Sequence, residues 1–89
     1  MRAMKKWRAE IMIGGDEGRT YAEARLISDA PNDLVGVGRA HVSPHDIDVP
    51  EIGDEVAVAR ALRDLGDRLL GTASDDIGGV TNEDVHLTR

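Results

Sequence analysis

Two histidines and two aspartates form the one cluster in this sequence with metal-ligand chemistry. His41 is followed after a short gap by His45, Asp46 and Asp48. Imidazole and carboxylate groups bind zinc, and a positioned histidine or carboxylate can act as a general base. However, the spacing matches no established zinc motif, and the serine, prolines and aspartates of 43–50 are typical of a loop. The sequence therefore predicts a turn here, with no metal and no cofactor.

Other motifs of catalysis or nucleotide binding are absent or incomplete. Gly36-Val37-Gly38 resembles the start of a dinucleotide fingerprint, but the third glycine is missing and no helix follows directly. The sequence contains no nucleophile elbow, no P-loop and no HExxH motif. Ser74-Asp75-Asp76 is typical of a helix cap. We therefore expect a non-enzymatic protein with no catalytic residues, and no small-molecule substrate is indicated.

A basic face becomes visible once alternating side chains are assigned to strands. In segments 6–13, 19–28 and 34–42, one face collects cationic and ring-bearing residues: Lys6, Arg8, Tyr21, Arg25, Arg39 and His41. The four lysines and arginines oppose Glu10 and Glu23, which leaves this face at +2 in a chain of net charge −6. The net charge argues against generic nucleic-acid binding, which depends on cations neutralising phosphates.

Three interpretations of this face remain open. A basic sheet face with one aromatic ring could bind RNA phosphates and stack a base. The glutamates could instead form cross-strand ion pairs with arginine neighbours, as on an ordinary surface. The face could also be a dimer contact, because it carries apolar side chains: Met12, Ile27, Val35 and Val37.

The strands that position these residues are predicted from side chains that alternate between two faces with a period of two residues. Trp7, Ala9, Ile11 and Ile13 share one side of the first segment, and glycine-rich 14–18 is typical of a hairpin connection. Segment 29–33 is a turn by composition. We expect a three-stranded antiparallel meander over 6–42.

A single long helix is expected to cover one face of this meander. Residues 43–53 form a crossover loop, and Gly53 or Asp54 is a candidate N-cap for a helix over 54–73. Its apolar stripe comprises Val58, Ala61, Leu62, Leu65, Leu69 and Ala73. Glycines at 36 and 38 indicate close approach of the helix backbone. The predicted covered set is Trp7, Ile11, Ala24, Leu26 and Gly38.

The predicted fold class is therefore α+β, with the order β-β-β-α. We expect the helix to stop between Leu70 and Ala73, and 74–89 to form a short second helix or an extended tail. Residues 1–5 are expected to be frayed. Eighty-nine residues correspond to one domain, and the absence of cysteine excludes disulfides and thiolate metal sites.

The small core also favours a homodimer. Two aromatic residues and no phenylalanine leave an aliphatic core, so a second copy could supply missing burial. Val56 and Leu70 lie off the helix stripe and, with Val35 and Val37, are the candidate dimer contacts. No apolar run approaches the ~20 residues of a membrane span, and the N-terminus lacks an apolar signal region. We expect a cytoplasmic protein.

Three segments carry a resemblance to a known family. They are Ala22-Glu23-Ala24-Arg25-Leu26, Leu34-Val35-Gly36-Val37-Gly38-Arg39-Ala40, and Val49-Pro50-Glu51-Ile52-Gly53-Asp54-Glu55 with the following Ala57-Val58-Ala59-Arg60-Ala61-Leu62. The chain resembles small actinobacterial proteins that share a domain of unknown function. Mycobacterial members of that family belong to the hypoxia-induced dormancy regulon.

The resemblance implies a double-stranded-RNA-binding-like fold. It also implies a dimer similar to ribosome hibernation-promoting factors, and hence a possible association with the ribosome or RNA. Those folds carry an additional N-terminal helix that this sequence lacks. The predicted helix also begins with acids, Glu51, Asp54 and Glu55, where RNA-binding domains carry lysines. The alternative function is a homodimeric protein-interaction module without nucleic-acid binding.

Overall fold

The computed structural model describes residues 3–29, 33–42 and 49–81, and it has the predicted β-β-β-α order. Strands β1 (Arg8–Asp16), β2 (Arg19–Ile27) and β3 (Val35–His41) are followed by helix α1 (Pro50–Thr81). The strands form one antiparallel sheet in the order β1-β2-β3. The predicted α+β class and the three-stranded meander are confirmed.

The hairpin between β1 and β2 is tighter than the glycine-rich segment suggested. Asp16 pairs with Arg19, so Glu17 and Gly18 alone form the loop, with φ of 50° and 76°. Two successive positive φ angles are typical of the type I′ turn, whose twist matches that of the flanking strands. Gly14 and Gly15 therefore belong to β1, and the expectation that they form the connection was wrong.

Helix α1 is longer than predicted at both ends. It begins at Pro50, which suits the first helical position because its fixed φ is helical and it has no N–H to leave unpaired. The predicted N-cap at Gly53 or Asp54 was therefore wrong. The predicted stop between Leu70 and Ala73 was also wrong, since the helix continues to Thr81. One glycine at 71 costs only about 1 kcal/mol relative to alanine, too little to end a helix by itself.

Residues 43–48 and 82–89, which include most of the predicted crossover loop and the end of the predicted tail, lie outside the described residues. No helix of the described part is long and apolar enough to cross a membrane.

The helix lies directly on the backbone of β3. A Cβ added at Gly36 would overlap backbone atoms of Ala61 and Leu65, and one added at Gly38 would overlap those of Ala57 and Ala61. The prediction of close approach at these two glycines is confirmed. The buried core between helix and sheet is correspondingly thin: Ala22, Ala24, Ala57, Ala61 and Leu65.

The helix covers β2 and β3 but makes few contacts with β1. Ala24 and Gly38 are buried, as expected, and Leu26 packs against the core. In contrast, Trp7 is 47% exposed and Ile11 is 37% exposed, so the prediction that the helix covers them was wrong. The physical reason is the glycine pair, which draws the helix toward β3 and away from β1.

The same displacement changes which helix residues face the sheet. Ala57, Ala61 and Leu65 are buried, whereas Leu62 of the predicted stripe is 44% exposed. Ala57, Ala61 and Leu65 lie directly over the two glycines, and the alanines at two of these positions let the backbones approach closely. A third close approach lies in the first helical turn, where a Cβ at Gly53 would come within 2.8 Å of Oγ1 of Thr20.

Candidate functional site

The face of the sheet opposite the helix, called here the open face, brings together most of the predicted basic residues. The register places Tyr21 beside Arg39 and Arg19 beside His41 at the hairpin end. At the other end, Glu10 lies beside Arg25, which in turn pairs with Val35. Arg8 lies on the same face at the start of β1, while Lys6 precedes the strand.

Tyr21 and Arg39 form the best-defined contact of the open face. The guanidinium carbon of Arg39 lies 5.1 Å from the centre of the Tyr21 ring, within the range of a cation–π contact. The Tyr21 hydroxyl donates to Oε1 of Glu23 at 2.7 Å. This hydrogen bond, more than any other cause, raises the pKa of Tyr21 above its ordinary value. The ring is thus held at both its face and its tip.

A shallow depression of about 640 Å³ surrounds this pair. Its polar and ring-bearing lining residues are Asp16, Arg19, Thr20, Tyr21, Arg39, His41 and Arg60. Arg60 reaches around the edge of β3 from the helix, and its Nη1 donates to the carbonyl oxygen of Arg39 at 2.6 Å. Three arginines and a histidine therefore face a single carboxylate. We call Arg19, Tyr21, Arg39, His41 and Arg60 the arginine cluster.

Two members of the arginine cluster were missed at the sequence level. Arg19 shares the parity of Tyr21 within β2, so extending the alternation by one step would have found it. Arg60 lies off the apolar stripe of the predicted helix, and only the lateral position of the helix brings its guanidinium to β3.

The remaining predicted basic residues do not join the arginine cluster. Arg25 forms an ion pair of 3.5 Å with Asp33, and Arg8 pairs in register with Ile27. A row formed by Met12, Glu23 and Val37 separates them from Tyr21 and Arg39. Among the described residues, the open face thus has two basic regions, and only the hairpin end combines cations with an aromatic ring.

The four candidate dimer contacts lie on two different surfaces. Val35 and Val37 are half-buried on the open face, whereas Val56 and Leu70 are half-buried on the helix. Of the candidate metal cluster, His41 is exposed at the end of β3, and His45, Asp46 and Asp48 lie outside the described residues. Within the described residues, no group of three potential ligands could hold a metal ion.

The free edge of β3 is occupied by side chains of the helix. Oδ2 of Asp64 accepts hydrogen bonds from the Val37 backbone N–H at 2.9 Å and from Arg68 Nε at 3.0 Å. The backbone hydrogen bond is the main cause that lowers the pKa of Asp64 below its ordinary value. Together with Arg60 on the Arg39 carbonyl, Asp64 blocks this edge against another strand.

Comparison with known proteins places this chain in a family. The family model described as Rv2632c-like matches residues 5–86. An uncharacterized protein of Mycobacterium tuberculosis is 48% identical over 84 residues, which cover 94% of this chain and 88% of that protein. The uncharacterized protein Rv2632c of Mycobacterium tuberculosis is 43% identical over 81 residues, covering 91% and 86% respectively.

A solved structure agrees with these sequence matches. The crystal structure of Rv2632c superposes with a TM-score of 0.83 at 41% identity, covering 92% of this chain and 96% of that chain. Because the family model spans most of the sequence and the fold is shared, the chain belongs to the Rv2632c-like family.

Proposed function

We propose that this protein is a non-enzymatic RNA-binding protein that acts on the translation machinery of the cytoplasm under stress or dormancy, in the manner of ribosome hibernation factors. The observation that carries the proposal is the Arg39 guanidinium held over the Tyr21 ring within the arginine cluster. The resemblance to dormancy-regulon proteins with a double-stranded-RNA-binding-like fold supplies the biological setting.

The arginine cluster has the chemistry that single-stranded RNA requires. Guanidinium groups bind phosphate oxygens through paired N–H donors, and their planes also stack on bases. Arg39, positioned by Tyr21, offers such a plane, while Arg19 and Arg60 lie close enough to contact flanking phosphates. Base stacking of this kind contributes about 1–3 kcal/mol per base. The depression is open to solvent and not enclosed, which suits an extended strand.

The charge distribution sets limits on the RNA that fits. The chain as a whole carries −6, so long-range attraction to a large polyanion is weak. The first turn of the helix carries Glu51, which is exposed and disfavours phosphates there. Binding is therefore expected through a few local contacts on the hairpin end, to a short single-stranded segment.

Direct binding tests this proposal most sharply. We expect Arg39→Gln to weaken binding of a fluorescently labelled single-stranded RNA by about tenfold or more, because both the cation and the stacking plane are lost. Arg63→Gln is the matched control: it removes the same charge from an exposed helix position outside the arginine cluster. Fluorescence anisotropy at several salt concentrations measures both. Equal affinity for the two variants would contradict a site at Arg39.

The ribosomal part of the proposal has its own test. The protein should co-sediment with ribosomes in extracts of starved or hypoxic cells, and Arg39→Gln should move to the free fraction. Recovery of the wild-type protein in the free fraction alone would refute an action on the ribosome.

The alternative function is a homodimeric protein-interaction module. It is favoured by the half-exposed apolar side chains of Trp7 and Ile13 beside the helix, which an isolated small protein gains nothing by exposing. Under this alternative, pull-downs recover the same protein partner with and without nuclease treatment, and labelled RNA does not bind.

A further inference from the structure

The cations of the arginine cluster come from three elements that meet at one corner of the sheet. Arg19 is the first residue of β2, and His41 is the last residue of β3. Arg39 lies two residues before His41, and Arg60 reaches the same depression from α1. The register pairs Arg19 with His41, so this row lies about 7 Å along the strands from Arg39. Three guanidinium groups and an imidazole therefore border one depression.

Two of these guanidinium groups are held in place before any ligand binds. The guanidinium carbon of Arg39 lies 5.1 Å from the centre of the Tyr21 ring, and Nη1 of Arg60 donates to the Arg39 carbonyl oxygen at 2.6 Å. A guanidinium has five N–H donors, so Arg60 keeps donors for a ligand after this bond. The ion pairs formed among the described residues involve none of Arg19, Arg39 and Arg60. The arginine cluster therefore offers positioned positive charge that is not consumed by ion pairs in this part of the chain.

The surface next to the arginine cluster has the opposite charge. A second depression, of about 350 Å³, adjoins the first and shares four lining residues with it: Gly15, Asp16, Arg19 and Thr20. Its lining carries the carboxylates of Asp16, Glu17 and Asp54. On the other side of the cluster, Glu23 accepts the Tyr21 hydroxyl in the next row of the open face. An RNA strand that continued past the cluster along the β-strands would bring its next phosphate toward a carboxylate, and such like-charge contact is unfavourable.

We propose that the arginine cluster binds the terminal phosphate monoester of an RNA, and that the strand ends there because the carboxylates of Asp16, Glu17 and Asp54 block its continuation. This inference rests on the proposed RNA-binding function and names the part of the RNA that is held. A phosphate monoester carries a charge of about −1.5 to −2 at pH 7 and has three acceptor oxygens. A phosphodiester within a strand carries a single negative charge. The arginine cluster therefore attracts a phosphorylated strand end more strongly than an internal phosphate.

The arrangement of the arginines also suits a monoester. A guanidinium binds phosphate through paired N–H donors, and Arg19, Arg39 and Arg60 come from three different elements, so each can contact different oxygens of one phosphate. The rest of the RNA has a route away from the carboxylates. Gly14 of β1 pairs with Tyr21, and a Cβ added at Gly14 would meet nothing within 4 Å. The strand can therefore leave the cluster across β1 without meeting a side chain in this row.

Four forms of one RNA test the preference for an end. A short single strand, labelled on an internal base, carries hydroxyls at both ends, a 5′-phosphate, a 3′-phosphate, or the methyl ester of the preferred phosphate. Fluorescence anisotropy should show one phosphate-ended form binding about tenfold more tightly than the hydroxyl-ended form, and its methyl ester should lose most of this gain because the second charge is gone. The 5′ and 3′ forms distinguish which end is held. Equal affinities for the hydroxyl-ended and both phosphate-ended forms would overturn the proposal.

Arginine variants connect this preference to the arginine cluster. In Arg19→Gln and in Arg60→Gln, the ratio of affinities for phosphate-ended and hydroxyl-ended RNA should fall to about threefold or less, because each variant removes one guanidinium from the phosphate. Both positions are exposed, so the circular dichroism of the variants should match that of the wild type. Arg63→Gln removes the same charge outside the cluster and should keep the wild-type ratio. An unchanged ratio in both cluster variants would contradict a terminal-phosphate site here.

Neutralising the acidic side tests why the strand ends at this corner. An RNA extended by a few nucleotides beyond the phosphate should bind the wild-type protein no more tightly than the hydroxyl-ended form. Combining Glu17→Gln with Asp54→Asn should raise the affinity for this extended RNA by about threefold or more, because the repulsion is removed. Glu55→Gln, which removes a charge from an exposed helix residue outside the second depression, is the control and should give no gain. No gain in the combined variant would refute the blocking role of the carboxylates.

The same measurements separate this inference from the function on which it rests. If all forms of the RNA bind equally and Arg39→Gln weakens each of them, the arginine cluster binds RNA but does not recognise its end. If no form binds, the RNA-binding function itself is wrong, and terminal-phosphate recognition is overturned with it.

Discussion

The two edge strands of this small sheet, β3 and β1, differ in how closely the helix packs against them. On the β3 side, Gly36 and Gly38 admit the helix backbone, alanines fill the interface, and Asp64 closes the strand edge. On the β1 side, large apolar side chains are present, but the described residues leave Trp7, Ile11 and Ile13 between 37% and 48% exposed. Stability of the isolated chain therefore comes mainly from the β3 side, where the side chains are smallest. The larger apolar groups of β1 remain available for association.

Breaking the close contact at β3 should have the largest effect on stability. In Gly36→Ala, the new Cβ would overlap backbone atoms of Ala61 and Leu65, which cannot rotate away. Overpacking costs about 1–3 kcal/mol where side chains can adjust, and we expect about 3 kcal/mol or more here. That corresponds to a melting temperature lower by about 12 °C or more, or to a chain that does not fold.

Gly14→Ala is the control for this substitution. Gly14 also lies within a strand, but a Cβ added there meets nothing within 4 Å. Its melting temperature, followed by circular dichroism at the same protein concentration, should stay close to that of the wild type. Similar losses for the two variants would mean that the helix does not depend on its contact with β3.

Two leucines three residues apart in the helix sharpen the comparison. Leu65 is 6% exposed and lies over Gly36 of β3, whereas Leu62 is 44% exposed. Leu65→Ala should lower the free energy of unfolding by about 2–4 kcal/mol, because it removes buried methyl groups and leaves a cavity. Leu62→Ala should cost less than about 1 kcal/mol. Urea titrations measure the free energy of unfolding of both variants. Equal decreases would contradict the position of the helix over β3.

The fold was largely predictable because its signals are local. Alternation in β1 and β2 and the pair Gly36 and Gly38 each follow from the sequence without knowledge of the partner element. The lateral position of the helix does not, because Ala57 and Leu62 both lie on an apolar flank and only the three-dimensional approach decides between them. Helix length was also misjudged, since the propensity cost of Gly71 is small beside the neighbouring helical hydrogen bonds.

The candidate site was likewise predictable only in part. Strand parity placed Tyr21 and Arg39 on one face, and antiparallel register made them neighbours. Arg60 could not be foreseen, because its role depends on how far the helix shifts toward β3 and on the reach of a long side chain around that edge. Features that follow from the periodicity of a single strand or helix could be predicted from the sequence. Features that depend on how two elements pack against each other could not.

The hydrogen bonds of Asp64 at the edge of β3 lead to a prediction about how the stability of the fold depends on pH. The pKa of Asp64 is lowered in the folded protein, chiefly by the Val37 N–H and then by Arg68. A carboxyl group with a lowered folded pKa stabilises the fold above its unfolded pKa, and this stabilisation is lost as pH falls through the folded pKa. The loss therefore begins near the ordinary value of 3.8 and continues below it.

Asp64→Asn tests this effect, which we expect to be the smallest of the three stability effects. The substitution keeps an acceptor oxygen for the Val37 N–H but removes the negative charge. The variant should be less stable than the wild type at pH 7, and the two urea midpoints should converge as the pH falls below the ordinary value of 3.8. Glu55→Gln, which removes a charge from an exposed part of the helix, should not show this convergence. Some acid dependence should persist in Asp64→Asn, because the pKa of Asp29 is also lowered, by its hydrogen bond with Lys5. If Asp64→Asn matches the wild type at pH 7, the charge of Asp64 does not stabilise the edge of β3, and the two edges of the sheet differ only in packing.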